Sequence, residues 1–157
     1  MLNKDYLQRT LVGALAELTN ADTQILEADG LDAILELLKT LRSVEFPAVI
    51  LEGRSSGTIQ LVEGPLDTFT QSVWVMGQLG RGEDEAALYS AMKKLAMKIV
   101  ARFLLDLTEA PELEGFDYQR FTYMQRWGGN NARGWELMLT FRQNFSLQLT
   151  EEDLKDG

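Results

Sequence analysis

Hydrophobic and polar positions alternate near the C-terminus of the chain. Trp135, Leu137, Leu139, Phe141, Phe145, Leu147 and Leu149 fall on one side, and Glu136, Thr140, Arg142, Asn144, Ser146 and Gln148 on the other. A period of two belongs to a β-strand with one buried and one solvated face. Gln143 on the apolar side and Met138 on the polar side are the exceptions. A strand over residues 135–149 would reach roughly 50 Å, well beyond the usual length. Such a strand outgrows a small core, so it either bends or projects toward a partner.

The remaining pattern predicts both helices and strands. Leu7, Leu11, Ala14, Leu15 and Leu18 recur at helical spacing and predict a first helix over residues 4–18. Leu31, Ile34, Leu35, Leu38 and Leu41 predict a second over 31–41. The stretch 23–28 reads as a short strand or an irregular link. The apolar run 46–52 reads as a strand, and Pro47 confines it to a strand start or an edge. A second strand follows at 58–62. A third spans 68–79, with Phe69, Val73 and Val75 on one side. Trp74 and Met76 interrupt its polar side, which predicts cover on both faces at that end. The longest helix is expected over 83–107, with a stripe of Leu88, Met92, Leu95, Ile99 and Phe103. A strand over 116–127 carries Phe121, Tyr123 and Trp127 on one face. A glycine- and asparagine-rich turn of six or seven residues, 128–134, joins it to the long last strand as a hairpin.

Helices and strands are segregated along the chain. The expected class is therefore α+β: a mainly antiparallel β-sheet with one long helix packed on it, N-terminal helices and a long C-terminal β-hairpin. Residues 1–150 read as one domain, and 151–157 as an acidic, frayed tail.

Composition narrows the chemistry. The chain has 157 residues and a net charge of −9, which disfavours nucleic acid and anionic membranes as partners. It contains no cysteine and no histidine, which removes thiol chemistry, the commonest general base and the commonest transition-metal ligand. No stretch of 18 apolar residues is present, and the N-terminus lacks the apolar core of a signal peptide. The expected location is the cytoplasm.

Few residue groups invite a functional reading. The glycine-rich stretches 53–57 and 77–82 lack the Lys-Ser/Thr of a phosphate loop, and the helix after the second opens on Glu83, Asp84 and Glu85, which repel an anion. No acid pair stands out as a general acid and base. Lys94, Lys98 and Arg102 form an i,i+4 basic row on the long helix, either a solvated face or a contact with acids of a neighbouring copy. Trp127 and Trp135 flank the turn that contains Asn130, Asn131 and Arg133. Two readings stand open for them: exposed aromatics marking an interface, or a cross-strand pair that stabilises the hairpin. The candidate interface is thus Lys94, Lys98, Arg102, Trp127, Asn130, Asn131, Arg133 and Trp135. No catalytic, cofactor-binding or metal-ligating residues are assigned.

The order of elements resembles the tail terminator and tail-completion (neck) proteins of long-tailed bacteriophages. The resemblance lies in residues 4–18, the proline-opened strand Phe46-Pro47-Ala48-Val49-Ile50, the strand 69–76, the helix 83–107 and the hairpin 118–149. It covers most of the chain and is carried by element order. The helix at 31–41 and the very long last strand depart from its simplest form. The resemblance implies a non-enzymatic structural protein without cofactors. Copies of it would assemble into a ring that caps or joins the tail tube, with itself and other tail proteins as partners. It would reside in the bacterial cytoplasm or the virion. The alternative is a small α+β ligand-binding module with a pocket between curved sheet and long helix.

Overall fold

The computed structural model describes residues 1–39, 44–53, 56–129, 131–145 and 148–154. The elements are α1 (Lys4–Leu11), α2 (Ala21–Gln24), β1 (Ile25–Ala28), α3 (Gly30–Lys39), β2 (Ala48–Glu52), β3 (Ser56–Gln60), β4 (Leu66–Gln78), α4 (Glu85–Asp106), β5 (Thr122–Trp127) and β6 (Ala132–Asn144). Single 3-10 turns lie at Pro111–Leu113 and Glu151–Asp153. The strands form a six-stranded sheet ordered β1-β2-β4-β6-β5, and β3 pairs with β4 beyond the end of β2. β1 and β2 are parallel, and the other pairs are antiparallel. The class is α+β, with α4 packed on the sheet.

The centre of the sheet is the β4–β6 pair. Its register runs unbroken from Leu66↔Asn144 to Gln78↔Ala132. At about 3.3 Å per residue the ladder spans roughly 40 Å. The long strand therefore begins at Ala132 and ends at Asn144, not at 135 and 149. It lasts as long as it has a partner: β4 begins at Leu66, just after the Glu63–Gly64 turn, and Leu149 is exposed. Ser146 and Leu147 lie outside the described residues.

Period two assigns side chains to two faces. On one, Phe69, Val73, Val75, Leu137, Leu139 and Phe141 meet Leu95, Ile99 and Phe103 of α4 and Leu7 and Leu11 of α1. On the other, Trp74, Met76 and Ala132 meet Ile34 and Leu38 of α3. The second cluster explains why Trp74 and Met76 break the polar face of their strand. Gln71 interrupts the first face, yet it is buried and satisfied: it accepts from Leu2 N and donates to Leu2 O, each at 2.8 Å. Gln24 is likewise buried; it accepts from Thr19 N and Asn20 N and donates to Glu17 O and Pro47 O.

Local backbone chemistry moves several expected boundaries. The first helix stops at Leu11, because Gly13 adopts a φ of +86°, a region open to glycine and foreign to a helix. Leu18 is nevertheless buried, since residues 12–18 fold back as a turn with Leu18 N donating to Leu15 O. The stretch 23–28 resolves into the end of α2 and strand β1. In α3 the stripe begins at Ile34, and Leu31 is exposed. β5 begins at Thr122, not near residue 116. Phe116 makes a single bridge to Phe141, and Gly115 (φ +77°) packs so closely that a Cβ would sit 2.0 Å from the Arg142 carbonyl oxygen. The hairpin turn is also shorter than expected, from Trp127 to Ala132, and is closed by Gly128 N donating to Ala132 O at 2.9 Å. In the tail, residues 151–153 form one exposed 3-10 turn, in which Thr150 and Asp153 cap each other reciprocally.

Phe141 stacks on Phe69 with ring centroids 5.2 Å apart and also meets Phe116. Phe141→Ala should destabilise the fold by about 3–5 kcal/mol. Urea unfolding followed by tryptophan fluorescence would show it, with a loss under 1 kcal/mol contradicting this packing.

Candidate functional site

The basic row lies on α4 where residues 12–18 cross it. Gln24 anchors that crossing segment by holding the Glu17 carbonyl. The segment carries Glu17 to Lys98, with which it forms an ion pair, and Arg102 pairs with Asp106 at 3.5 Å. The hydrogen bond from Lys98 holds the Glu17 carboxyl below its ordinary range, and the field of Lys94 adds to the effect. Lys94 itself is exposed. Among the described residues, Glu17 Oε2 and Arg102 Nε are buried without hydrogen-bond partners. Between these charges lies a groove of about 380 Å³ lined by Ala14, Leu15, Ala101 and Leu105, with Lys98 and Arg102 at its rim. Leu105 is 72% exposed. Two cations of the row are thus partly engaged within the chain, and the row borders an apolar surface that its periodicity did not reveal.

The structure separates the two tryptophans of the hairpin. They are not cross-strand partners: Trp127 faces Arg133, and Trp135 faces Gln125. Trp135 is half-buried against α4, where its Nε1 donates to the Tyr89 carbonyl at 2.8 Å. Tyr89 and Tyr123 meet it edge-on. Lys93 Nζ completes the group, 4.4 Å from the Tyr123 ring centroid and 3.0 Å from its hydroxyl. Lys93 follows Tyr89 at i+4, a spacing that identifies the pair only once β5 is known to lie beside them. Trp127 is 63% exposed, with the Arg133 guanidinium over its ring and Arg133 Nε donating to Glu85. Asn131 supplies a carbonyl to Leu79 N. Asn130 lies outside the described residues.

A polar cluster on the α3 face escapes the sequence pattern. Glu136 occupies a solvent-side position by period two, yet it is buried. Ser72 Oγ donates to it at 2.6 Å and Arg126 Nε at 2.7 Å, and the Arg126 guanidinium lies over the Trp74 ring. The carboxylate is therefore paired and hydrogen-bonded, the condition for keeping it in the interior. On β2, burial raises the carboxyl of Glu52 above its ordinary range, and the charge of Glu136 adds to the effect.

A third surface lies at the far end of the sheet. Every residue of β3 is exposed, and with β4 it forms a hairpin whose turn holds Glu63 at φ +67° and Gly64 at φ +104°. Ile59 and Leu61 are exposed there, and Val62 is 73% exposed. In the sequence, residues 58–62 read as an ordinary strand. Only the pairing shows that nothing among the described residues covers them. Among those residues, no group of acidic side chains is arranged to hold a metal and no helix is long and apolar enough to cross a membrane.

Arg126→Ala should cost about 1–3 kcal/mol by leaving Glu136 buried with fewer donors, as urea denaturation at neutral pH would show. Glu52→Gln should have the opposite sign. Because the folded state raises the Glu52 pKa, ionisation of Glu52 opposes folding above the unfolded value of 4.5. The neutral variant should therefore unfold at higher urea at pH 7, and its advantage should vanish as the pH falls toward 4.5. An advantage that is constant with pH would mean that Glu52 ionisation is not responsible.

No protein-family model and no curated protein matches the sequence.

Proposed function

We propose that this protein is a non-enzymatic structural subunit of a phage or prophage tail, binding copies of itself in a ring that caps or joins the tail tube. The observation that supports this reading is the pair of open sheet margins at the ends of the β4–β6 ladder. β3 pairs only with β4, and β5 only with β6, among the described residues. β3 carries no charge and no proline, the usual protections of an exposed edge. Both margins display large apolar side chains: Ile59, Leu61 and Val62 at one, Tyr123, Met124 and Trp127 at the other. Exposed apolar groups clustered on edge strands suit association by surface complementarity. The element order also agrees with the tail-protein resemblance: α1, a strand opened by Pro47, α4 on the sheet and the β5–β6 hairpin.

The reading needs no cofactor and no nucleic acid; its partners are further copies and other tail proteins. The alternative module would need an open space between α4 and the sheet. Leu95, Ile99, Phe103, Leu137, Leu139 and Phe141 occupy that space and are all buried, which favours assembly over small-molecule capture.

Light scattering across a wide concentration range, with electron microscopy of the particles, tests the proposal. Rings of defined copy number are expected. A strict monomer at every concentration, stabilised against heat by an apolar small molecule, would favour the pocket module instead.

A further inference from the structure

The two open margins of the sheet, β3 and β5, match in direction, face and charge. β3 is antiparallel to β4, β4 to β6, and β6 to β5. Three reversals leave β3 and β5 running oppositely, so a copy set beside another in the same orientation presents β3 antiparallel to its neighbour's β5. Period two then fixes the alignment. Gly57 and Ile59 lie opposite Phe69 and Asp67, on the α4 side, and Tyr123 and Gln125 lie opposite Leu137 and Trp135, on the same side. Of the two alignments that pair all of β3 with β5, only 56–60 against 126–122 keeps the α4 sides together. It sets exposed Ile59 beside Tyr123, and Thr58 beside Met124. The charges follow. Residues 118–135 hold Arg120, Arg126 and Arg133 and no acid, in a chain of net charge −9, while residues 56–78 hold Glu63 and Asp67 and no lysine or arginine. Arg126 and Arg133 are engaged by Glu136 and Glu85. Among the described residues, however, Arg120 and Lys93 pair with no carboxylate, and Glu63 and Asp67 with no cation. In this alignment Arg120 falls opposite Val62, next to Glu63. Lys93, which stands over Tyr123, shares a face with Asp67, the partner of Ile59.

We infer that β3 of one copy adds to β5 of the next as an antiparallel strand, residues 56–60 against 126–122, with Glu63 at Arg120. The inference rests on the assembly reading and adds to it the contact and its register. Backbone pairing at an open edge accepts many strands, so charge selects among them. β3 against β3 brings no cation to Glu63 and Asp67, and β5 against β5 brings no acid to Arg120. A contact between two different surfaces is heterologous, so it continues from copy to copy until a ring closes or a filament grows. The stagger of the two margins suits closure. Thr58 is level with Thr68 of β4, and Met124 is level, through Glu136, with Trp74. Pairing Thr58 with Met124 therefore shifts each copy from the level of residue 68 to that of 74, roughly 20 Å along the strands. Four strand spacings add roughly 19 Å across them, which inclines the strands at about 45° to a ring axis, near the tilt of closed barrels. A short edge contact covers little area against the roughly 1,200–2,000 Å² of a stable interface, so a single contact is weak and ring closure supplies the rest.

The absence of cysteine gives a clean test. Thr58→Cys, Met124→Cys and Gln125→Cys are made separately, all at exposed positions whose replacement leaves the core untouched. The full-length Thr58→Cys chain is mixed with an equal amount of each of the others and oxidised gently, and the disulfides are identified by peptide mass spectrometry. The Thr58–Met124 heterodisulfide should exceed either homodisulfide by about tenfold or more, since disulfide geometry demands close approach of the two Cβ atoms. It should exceed the Thr58–Gln125 product by as much, because Gln125 points to the opposite face. Adding Arg120→Glu to the Met124→Cys chain should lower the yield severalfold, and adding Glu63→Lys to the other chain should restore it. A statistical mixture of disulfides, or equal trapping at Gln125, would overturn the pairing. Rings seen by light scattering without the heterodisulfide would overturn this contact alone, whereas absence of both rings and heterodisulfide would overturn the assembly reading with it.

Discussion

The rest of the fold depends on the unbroken antiparallel pairing of β4 with β6. Each strand has 13 residues, and every residue of one has a partner in the other. The pairing requires close approach of the two backbones, and Gly134 provides it: a Cβ there would lie 1.9 Å from the Val75 carbonyl oxygen. Because the side-chain period of a strand is two, this single register decides which residues meet α4 and which meet α3. A slip of one residue would place Phe141, Leu139 and Leu137 on the α3 face and bring Glu136 against α4.

The ladder is longer than the core that covers it, and this mismatch shapes the surface. Toward Gln78 and Ala132 both faces are packed, by α4 on one side and α3 on the other. Toward Leu66 and Asn144 burial falls away, and β3 runs alongside fully exposed. Between these regions the sheet crosses from apolar to polar surroundings, and there Glu136, Ser72 and Arg126 satisfy one another. That cluster ties β5 to β4 through β6 by side chains, which strengthens an edge strand held by one neighbour.

The consequence for function is that the parts best suited to contact other molecules lie at the margins of the ladder. The hairpin tip, the β5 edge and the α4 groove are supported by packed elements but are themselves uncovered among the described residues. On the proposed assembly reading, packed elements behind apolar margins would leave these surfaces little to order on association.

By itself, the sequence determined the α+β class, the long amphipathic helix, the alternation that becomes β6 and the double cover around Trp74 and Met76. These are local or periodic properties, fixed by where apolar side chains recur. It also identified the basic row and the tryptophans as features of interest, without saying what each touches. Only the tertiary structure decided that Lys98 pairs with Glu17, that Trp135 turns in toward Tyr89 while Trp127 stays out, and that Glu136 is buried. The physical reason is common to these cases. Each depends on a neighbour far away in sequence, brought near by strand register and chain reversal, and periodicity records how a segment faces its surroundings but not what those surroundings are.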